Sequence, residues 1–400
     1  MRLFTALVTL TAWIGAAPAQ AQAVLDVRAT CDSGGEPSCQ SLARSVFRVD
    51  DGGGLVAIGR LGIGLIPASG EGERMMWYPF RGAFRAGGVN SAEPTAWDES
   101  NLGFYSWAGG ANTVASANYS FAMGDRNRVT GVSGAAFGTS NVATGTAGFT
   151  AGNQSRCNGA FCTAIGFQAR AYGQGAVALG YRVTADADYA VAIGQRASAN
   201  GRTGAFVIGD ASTTDSLEAT ANNQFSARYA GGYRLYTNAT ETAGVTIAGG
   251  SGSWTMVSDS TLKEHIVALD GEALLGRLAQ LPVSTWRYLA EEDRTVRHAG
   301  PMAQDWQRLV AGPLGLNDDE TTINTGDFDG VNLAGVIALE ARTQAQAAEI
   351  AALRAEVAAL RGERVVAAER MAQIEAVLAR ITPARPSGQT MTASLEASRP

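Results

Sequence analysis

The sequence predicts a mainly β-solenoid protein that continues into a helical C-terminal part ending in a coiled coil. Three observations carry this prediction. Glycine recurs every fourteen residues in the middle of the chain, small and large residues alternate around those glycines, and apolar heptads run through the C-terminal part. A fixed short period is typical of a solenoid, and a sustained heptad pattern is typical of a coiled coil.

The repeat occupies residues 101–210, and its first glycine set is Gly110, Gly124, Gly138, Gly152, Gly166, Gly180 and Gly194. A second set stands seven residues later, at Gly131, Gly145, Gly159, Gly173 and Gly201. The residues two before and five after each first-set glycine are small, whereas the residue directly before it is mostly bulky. Alternation at a period of two predicts strands, so we expect two short strands per turn around a narrow interior. The glycines are expected at the corners, where a positive φ or close backbone approach excludes a side chain.

The first 23 residues predict an exported protein. One arginine precedes a short apolar run, and Ala19, Ala21 and Ala23 end small-residue cleavage motifs, which is typical of a secretory signal peptide. A buried N-terminal helix is the alternative. No other segment of the sequence reaches the length of apolar residues that a bilayer span needs. We therefore expect a mature chain without a membrane span, located in the bacterial periplasm, at the cell surface or outside the cell.

Composition restricts the partners and the chemistry. The net charge is −6, and no basic stripe is evident along the sequence, so nucleic acid is not an expected partner. The four cysteines fall into two local pairs, Cys31 with Cys39 and Cys157 with Cys162, and each pair is expected to close a disulfide in an oxidising compartment. Both histidines stand far from the cysteines, so we expect neither a metal site nor a cofactor.

The segments outside the repeat differ in character. Residues 24–100 are an irregular, β-rich N-terminal region, and residues 211–257 are a β-rich neck that ends in a glycine-rich linker. Helical periodicity replaces the repeat in residues 258–334. The heptads occupy residues 335–381, and the tail at 382–400 is rich in Pro, Ser and Thr and is expected to be disordered.

The heptads predict a coiled coil without fixing its number of strands. The first heptad positions are Val336, Thr343, Ile350, Val357, Arg364, Met371 and Leu378, and the fourth positions are Leu339, Gln346, Leu353, Leu360, Ala367, Ile374 and Ile381. Ile or Val at the first position with Leu at the fourth favours two strands, but Thr343, Gln346 and Arg364 depart from that rule. The alternative is a long helix that packs back on its own domain.

The repeat resembles the head repeats of trimeric autotransporter adhesins of the YadA type. The consensus is clearest in residues 189–194, which read Tyr-Ala-Val-Ala-Ile-Gly, followed by Ala197, Ala199 and Gly201. This resemblance implies a left-handed parallel β-roll in which chains associate as a homotrimer. The trimer is implied by the resemblance, and the spacing alone does not show it.

Four motifs follow the repeat in a fixed order, at residues 257–266, 282–288, 297–305 and 329–333. In this order they resemble the peptidase S74 family, the intramolecular chaperone domain of phage tailspikes. The resemblance covers residues 258–381. It implies an α+β chaperone domain that trimerises, drives assembly of the preceding β-solenoid and then cuts itself off.

The resemblance places the scissile bond between Val257 and Ser258, with Ser258 as nucleophile and Lys263 as base. A serine hydroxyl is a poor nucleophile until a base takes its proton. A lysine amine is such a base only where desolvation disfavours its charged form. We therefore expect a single-turnover, serine-type self-cleavage that depends on assembly.

Further residues of these motifs are candidates for supporting roles. His298 matches the family's His-x-Gly motif, and Asp259 and Gln304 also stand in the matched motifs. His265 departs from the family, which usually has Asn at that position. A structural role is the alternative for His298 and Gln304.

Two other interpretations are open at this point. In the first, Ser258 is an ordinary helix N-cap and Lys263 is a solvated side chain that follows it. The whole chain would then be a non-cleaving structural or adhesive trimer that keeps its C-terminal domain as a stalk and binds an unidentified cell-surface or glycan target. A glycan-cleaving enzyme lacks support, because the repeats offer no paired carboxylates on a recurrent face.

Overall fold

The computed structural model describes residues 23–29, 44–316 and 319–381. The chain divides into two compact units between Ser258 and Asp259. All but the last residue of the predicted signal peptide at 1–23, the Cys31–Cys39 pair and the tail after Ile381 lie outside the described residues.

The N-terminal region contains two antiparallel arrangements. The strands Ala23–Ala29, Arg44–Asp50 and Leu55–Ala57 form one small sheet. The strands Gly72–Tyr78 and Ala83–Val89 form a hairpin, and the second of them pairs in parallel with the first strand of the solenoid.

Two large side chains fill the first turn of the solenoid. The Trp97 indole is fully buried and donates a hydrogen bond from Nε1 to Thr113 O at 2.8 Å. Arg85 is also fully buried and donates to Ser106 O and Ala115 O, each at 3.0 Å. Burial lowers the pKa of the Arg85 guanidinium to about 10. These residues close the N-terminal end of the solenoid interior.

The solenoid makes about seven turns over residues 107–209. Each turn contributes one strand to each of two parallel sheets. The long-strand sheet contains Trp107–Ala111, Phe121–Asp125, Ala135–Thr139, Phe149–Asn153, Thr163–Phe167, Val177–Tyr181, Val191–Gln195, Phe206–Gly209 and Phe225–Arg228. The short-strand sheet contains Val114–Ala115, Arg128–Val129, Val142–Ala143, Arg156–Cys157, Arg170–Ala171, Thr184–Ala185, Ala197–Ser198 and Leu217–Glu218. The pairing is in register, so each first-set glycine lies beside the next, as Gly138 lies beside Gly152.

The narrow interior predicted from the small residues is confirmed. The position two before the first-set glycine is buried in every turn, as at Ala122 and Ala136, and so is the position five after it, as at Val129 and Ala143. The bulky residue before the glycine points outward, and Met123 is among the exposed large apolar residues. One turn therefore buries its own small residues against the turns on either side.

The predicted location at corners is wrong for the first-set glycines, although their need to be glycine is confirmed. The second-set glycines do lie in the bends and turns between strands, at Gly131, Gly145, Gly159, Gly173 and Gly201. Gly138 is the fourth residue of a strand, where φ is +105°, and a Cβ there would overlap Gly152 O of the next turn. The corners themselves are made by two residues per turn with left-handed backbone, for example Tyr119 at φ +60° and Arg126 at φ +51°. Close stacking of backbones, rather than corner geometry, requires glycine in the first set.

A polar ladder runs inside the wall of the solenoid, and the sequence patterns did not indicate it. Asn127 and Asn141 are fully buried. Asn127 Nδ2 donates to Gly138 O at 2.6 Å, and its Oδ1 accepts from Asn141 N at 2.9 Å. Asn141 repeats both contacts one turn later, with Gly152 O and Ser155 N. The ladder satisfies backbone groups that burial would otherwise leave unpaired.

The neck forms an antiparallel sheet of Gly232–Tyr236, Gly244–Ala248 and Thr255–Met256. Between solenoid and neck, the Asp210 carboxylate accepts hydrogen bonds from Ala230 N at 2.7 Å, Ser212 Oγ at 2.8 Å and Arg228 Nε at 3.1 Å. These contacts, led by the backbone amide of Ala230, lower the pKa of Asp210 to about 2.

The regular elements described in the second unit are helices and one hairpin, joined by irregular segments. Its helices are α1 (Gly271–Leu278), α2 (Ala303–Trp306), a π-helical turn (Gln307–Ala311), α3 (Gly312–Leu314) and the C-terminal helix (Thr325–Ile381), and its hairpin pairs Ser284–Trp286 with His298–Gly300. The core consists of Leu274, Trp306, Val310, Ala311 and Val331. The first turns of the C-terminal helix pack on α1, where Arg342 also pairs with Glu272.

Candidate cleavage and assembly site

The predicted scissile bond lies where the neck sheet ends. Thr255–Met256 pairs with the strand Gly244–Ala248, and Val257 N donates one further hydrogen bond to Gly244 O at 3.3 Å. Val257 and Ser258 are both exposed and stand outside the strand. The peptide bond between them is therefore held on its N-terminal side by the sheet and is open to attack.

Asp259 organises the backbone that follows. The carboxylate accepts hydrogen bonds from Thr261 N and Thr261 Oγ1, both at 2.8 Å, and caps a short 3-10 helix at Ser260–Leu262. The bond from the Thr261 backbone is the main cause that lowers the pKa of Asp259. Ser258 is not the N-cap, so the interpretation of Ser258 as an ordinary capping residue is wrong.

Lys263 ends the 3-10 helix as its C-cap, with its backbone N–H donating to Ser260 O at 3.3 Å. Its side chain is exposed. Lys263 is also the one lysine among the 400 residues, where arginine supplies the other thirty basic side chains. The guanidinium of arginine stays protonated in proteins, whereas a lysine amine loses its proton when it is desolvated. The chain thus has its single amine side chain at the position where the predicted chemistry needs a base.

The backbone conformation of His265 explains how histidine can occupy a position where the peptidase S74 family usually has Asn. His265 adopts a left-handed conformation with φ of +55°. Among residues with a side chain, Asn, Asp and His are the ones enriched in this conformation. His265 therefore preserves the backbone turn that an Asn would form at this position.

His298 lies in a polar and aromatic cluster of the hairpin. Its Nε2 is 2.7 Å from Glu291 Oε1, and its ring centroid is 4.8 Å from that of Trp286 and 5.5 Å from that of Tyr288. The hydrogen bond with His298 is the main cause that lowers the pKa of Glu291. Glu291 was not identified from the sequence, because nothing in its spacing from His298 marks the two as partners. This contact gives His298 a structural partner within the hairpin.

The remaining predicted residues are placed as follows. Gln304 lies on the exposed side of α2, next to the buried Trp306. Cys157 and Cys162 form the predicted disulfide, with Cα atoms 5.6 Å apart, inside the solenoid. In the described part of the chain, no group of His, Cys, Asp and Glu side chains is arranged to hold a metal ion. The helices described here include none with the length and apolar character of a membrane span.

Two family models match separate parts of the chain. Residues 258–312 match the chaperone of endosialidase, the peptidase S74 family. Residues 103–127, 163–182 and 185–212 match the YadA head domain repeat. Both resemblances drawn from the sequence motifs are thereby confirmed over these residues. No curated protein matches the chain.

Proposed function

We propose that this protein is an exported, trimeric, adhesin-like rod whose C-terminal chaperone domain drives assembly and then releases itself by cutting the Val257–Ser258 bond. The rod comprises the solenoid and the neck, and the chaperone domain with its coiled coil follows Ser258. The observation that carries the cleavage step is the placement of the chain's single lysine five residues after Ser258.

The C-terminal helix supports trimer assembly. It spans Thr325–Ile381, and its predicted heptad core is uncovered in one chain, with Ile350, Leu353 and Val357 all exposed. Burying a side chain of this size stabilises an assembly by about 1.5–3 kcal/mol. A row of such residues along one helix is stable in water when other helices cover it, so the helix supplies a seam for association of copies. The number three is taken from the resemblance of the repeats to YadA-type heads.

The outer face of the long-strand sheet supports the same conclusion for the rod. Trp107, Phe121, Phe137 and Phe149 form a row along this face, with successive ring centroids 5.8, 5.3 and 5.7 Å apart. Bulky aliphatic residues such as Ile165 continue the apolar face in later turns. Contiguous apolar surface of this extent marks a protein interface, and three copies packed through this face would bury it.

The cleavage step uses the Ser258 hydroxyl and the Lys263 amine, which together form the proposed catalytic dyad. Lys263 Nζ accepts the hydroxyl proton while Ser258 Oγ attacks the carbonyl carbon of Val257. The C–N bond breaks, the proton passes to the released amino group of Ser258, and an ester joins Val257 to Ser258 Oγ. Water then hydrolyses this ester and leaves a carboxylate on Val257. This sequence of bond changes is the ordinary course of serine nucleophilic catalysis.

Exposure of the dyad in one chain supports a dependence on assembly. Ser258 and Lys263 are both exposed, and a lysine amine in water is held in its protonated form, which cannot accept a proton, because water stabilises the charge. Covering Lys263 during trimer formation would remove that stabilisation. Asp259 and His265 fix the backbone around Lys263, and the contact of His298 with Glu291 holds the hairpin of the same domain.

The test is a gel and an intact-mass measurement of the purified chain beside four variants. We expect wild type and the control Ser260→Ala, which alters a neighbouring serine, to give a fragment ending at Val257 and another beginning at Ser258. Ser258→Ala, Lys263→Ala and Lys263→Arg should remain uncut. Cleavage in Lys263→Arg would contradict the role of a deprotonated amine, because arginine keeps the positive charge but does not lose its proton to become a free base.

A non-cleaving adhesive trimer that keeps its chaperone domain as a stalk is the second candidate, and the length of the C-terminal helix, Thr325–Ile381, favours it because such a helix suits a permanent stalk. An uncut wild-type trimer in the measurement above would establish this candidate in place of the first.

A further inference from the structure

The fold aligns arginines that are scattered in the sequence. Residues 107–209 contain seven arginines, three aspartates and no lysine or glutamate, although the whole chain is acidic. Arg156 and Arg170 are Cα partners in adjacent short strands, and both side chains are exposed. Adjacent strands lie about 4.8 Å apart, so two positive charges face outward side by side.

The neighbouring corner extends this charged surface over the next turns. Gln154, Gln168, Arg182 and Arg196 occupy the same left-handed corner position in successive turns, with φ between +52° and +56°. Gln168 Nε2 donates to Gln154 Oε1 at 2.8 Å, and Arg182 Nε donates to Gln168 Oε1 at 3.1 Å. The corner directly precedes the short strand in each turn. We define the arginine strip as Arg156, Arg170, Arg182 and Arg196.

The arginine strip lacks acidic partners within the described residues. None of its four arginines forms an ion pair there, whereas Arg126, earlier along the solenoid, pairs with Asp125 at 2.9 Å. The aspartates near the strip in sequence, Asp186 and Asp188, accept hydrogen bonds from backbone amides instead. Like charges that face each other across a ladder are destabilising, so a bound anion would remove an electrostatic cost from the strip.

Exposed aromatic rings accompany the arginines. The Arg182 guanidinium lies 5.3 Å from the ring centroid of Tyr181, and Tyr181 stacks on Phe167 at 5.2 Å. Tyr172 is exposed two residues after Arg170. Aromatic faces stack on the apolar faces of sugar rings, and guanidinium groups bind carboxylates and sulfates through paired hydrogen bonds. The combination fits a sugar polymer that carries acidic groups.

We propose that the arginine strip binds a linear acidic polysaccharide through its repeated carboxylate or sulfate groups. The strip spans four turns, roughly 14 Å at the spacing of strands, which corresponds to a short run of sugars. Its four arginines are few for a nucleic-acid site, where proteins commonly contact about six to ten phosphates. The strip lies on the short-strand side, so packing of the rod through the long-strand sheet leaves it accessible. This inference rests on the proposed function, because it names the partner of the exported rod.

The test measures binding of the purified full chain to immobilised heparin and polygalacturonate, with dextran as the neutral polymer and single-stranded DNA as the competing polyanion. We expect binding to heparin and polygalacturonate that weakens as salt is raised, and no binding to dextran. Arg156→Gln with Arg170→Gln should weaken polysaccharide binding at least tenfold. Arg170→Gln alone should weaken it severalfold, while the matched control Arg202→Gln, outside the strip, should bind as wild type does.

Several outcomes would overturn the proposal. These are absence of polysaccharide binding by wild type at low salt, equal losses in Arg170→Gln and Arg202→Gln, or tighter binding to single-stranded DNA than to either acidic polysaccharide. A change in oligomeric mass of the strip variants would assign the strip to contact between copies instead. Circular dichroism of each variant checks the fold. The assay is independent of self-cleavage, so an uncut chain that binds heparin would leave the strip supported while the cleavage step fails.

Discussion

The solenoid and the C-terminal helix are both long and repetitive, yet they bury their apolar residues in opposite ways. Each turn of the solenoid packs its small residues against adjacent turns, so Ala136 and Ala143 have no exposed surface in one chain. Leu353 and Leu360 of the helix are 51% and 56% exposed. One chain closes the core of the solenoid, whereas in the proposed assembly the heptad residues of the helix are covered by other chains.

The comparison shows why the helix is suited to direct assembly. Turns of the solenoid present similar apolar faces every fourteen residues, so copies that meet through this face can slip by one turn. The helix has polar residues within its predicted seam at Thr343, Gln346 and Arg364. Polar residues at such positions specify register in coiled coils. Pairing the helices first would align the solenoids before their repetitive faces meet.

The substitution with the largest expected effect should destabilise the solenoid without changing the C-terminal helix. Gly138→Ala adds a Cβ that would overlap Gly152 O, on a residue whose backbone φ is positive. The overlap can be relieved only if the next turn moves. We expect a loss of more than about 4 kcal/mol and a chain recovered mainly as aggregate. The matched control is Gly362→Ala, where a Cβ meets nothing within 4 Å. The control should raise the stability of the helix by about 1 kcal/mol per chain, as measured by thermal unfolding. Equal stability of the two variants would contradict the difference proposed between solenoid and helix.

A pair of substitutions in the helix should separate assembly from folding. Leu353→Gln with Leu360→Gln removes apolar residues from the predicted seam, at about 2 kcal/mol for each side chain that the trimer buries. We expect native mass spectrometry at micromolar concentration to shift from trimer toward monomer. Ala355→Gln, which lies between them at the sixth heptad position, on the side of the helix away from the seam, should leave the trimer intact. A persistent trimer in the double variant would place the main interface elsewhere.

The disulfide should contribute a moderate amount to the solenoid. Cys157 and Cys162 are both buried and close a short loop, for which chain entropy predicts about 2 kcal/mol. Cys157→Ala with Cys162→Ala should lower the melting temperature of the solenoid. Reductant should lower that of wild type toward the same value and leave the variant unchanged. A reductant-sensitive melting temperature in the variant would show that another bond carries the effect.

Acid should loosen the junction between solenoid and neck. The pKa of Asp210 is lowered to about 2 by its hydrogen bonds, while an unfolded Asp titrates near a pKa of about 3.9. A lowered pKa in the folded state means that the contribution is complete above about pH 4 and is lost as the pH falls through about 2. The protection of the Ala230 amide, meaning its exchange rate relative to that of an unstructured peptide at the same pH, should therefore fall on acidification below about pH 4. In Asp210→Asn this protection should be low at neutral pH already and change little with acid.

The smallest expected effect concerns His265. Its φ of +55° suits Asn as well as His, so His265→Asn should change neither the melting temperature nor the rate of self-cleavage. His265→Val, which is β-branched and disfavours this conformation, should slow cleavage. A cleavage rate that falls equally in both variants would indicate a direct role for the imidazole.

The sequence predicted the period and the inward residues, because stacking identical turns forces equivalent positions to repeat. It misplaced the first-set glycines, because corner residues such as Tyr119 and Arg126 adopt left-handed backbone that residue type alone does not indicate. The Asn127–Asn141 ladder and the arginine strip depend on contacts between turns, so no local pattern marks them. The uniqueness of Lys263, by contrast, was visible in the composition, since one lysine stands among thirty arginines.

The central claim is that trimer formation through the C-terminal helix activates the cut before Ser258. The most direct measurement is a cleavage time course of wild type beside Leu353→Gln with Leu360→Gln, with the oligomeric mass followed in the same samples. The account predicts that trimer appears before the fragment ending at Val257, and that the monomeric variant stays uncut. Efficient cleavage of the monomer at Val257–Ser258 would contradict it.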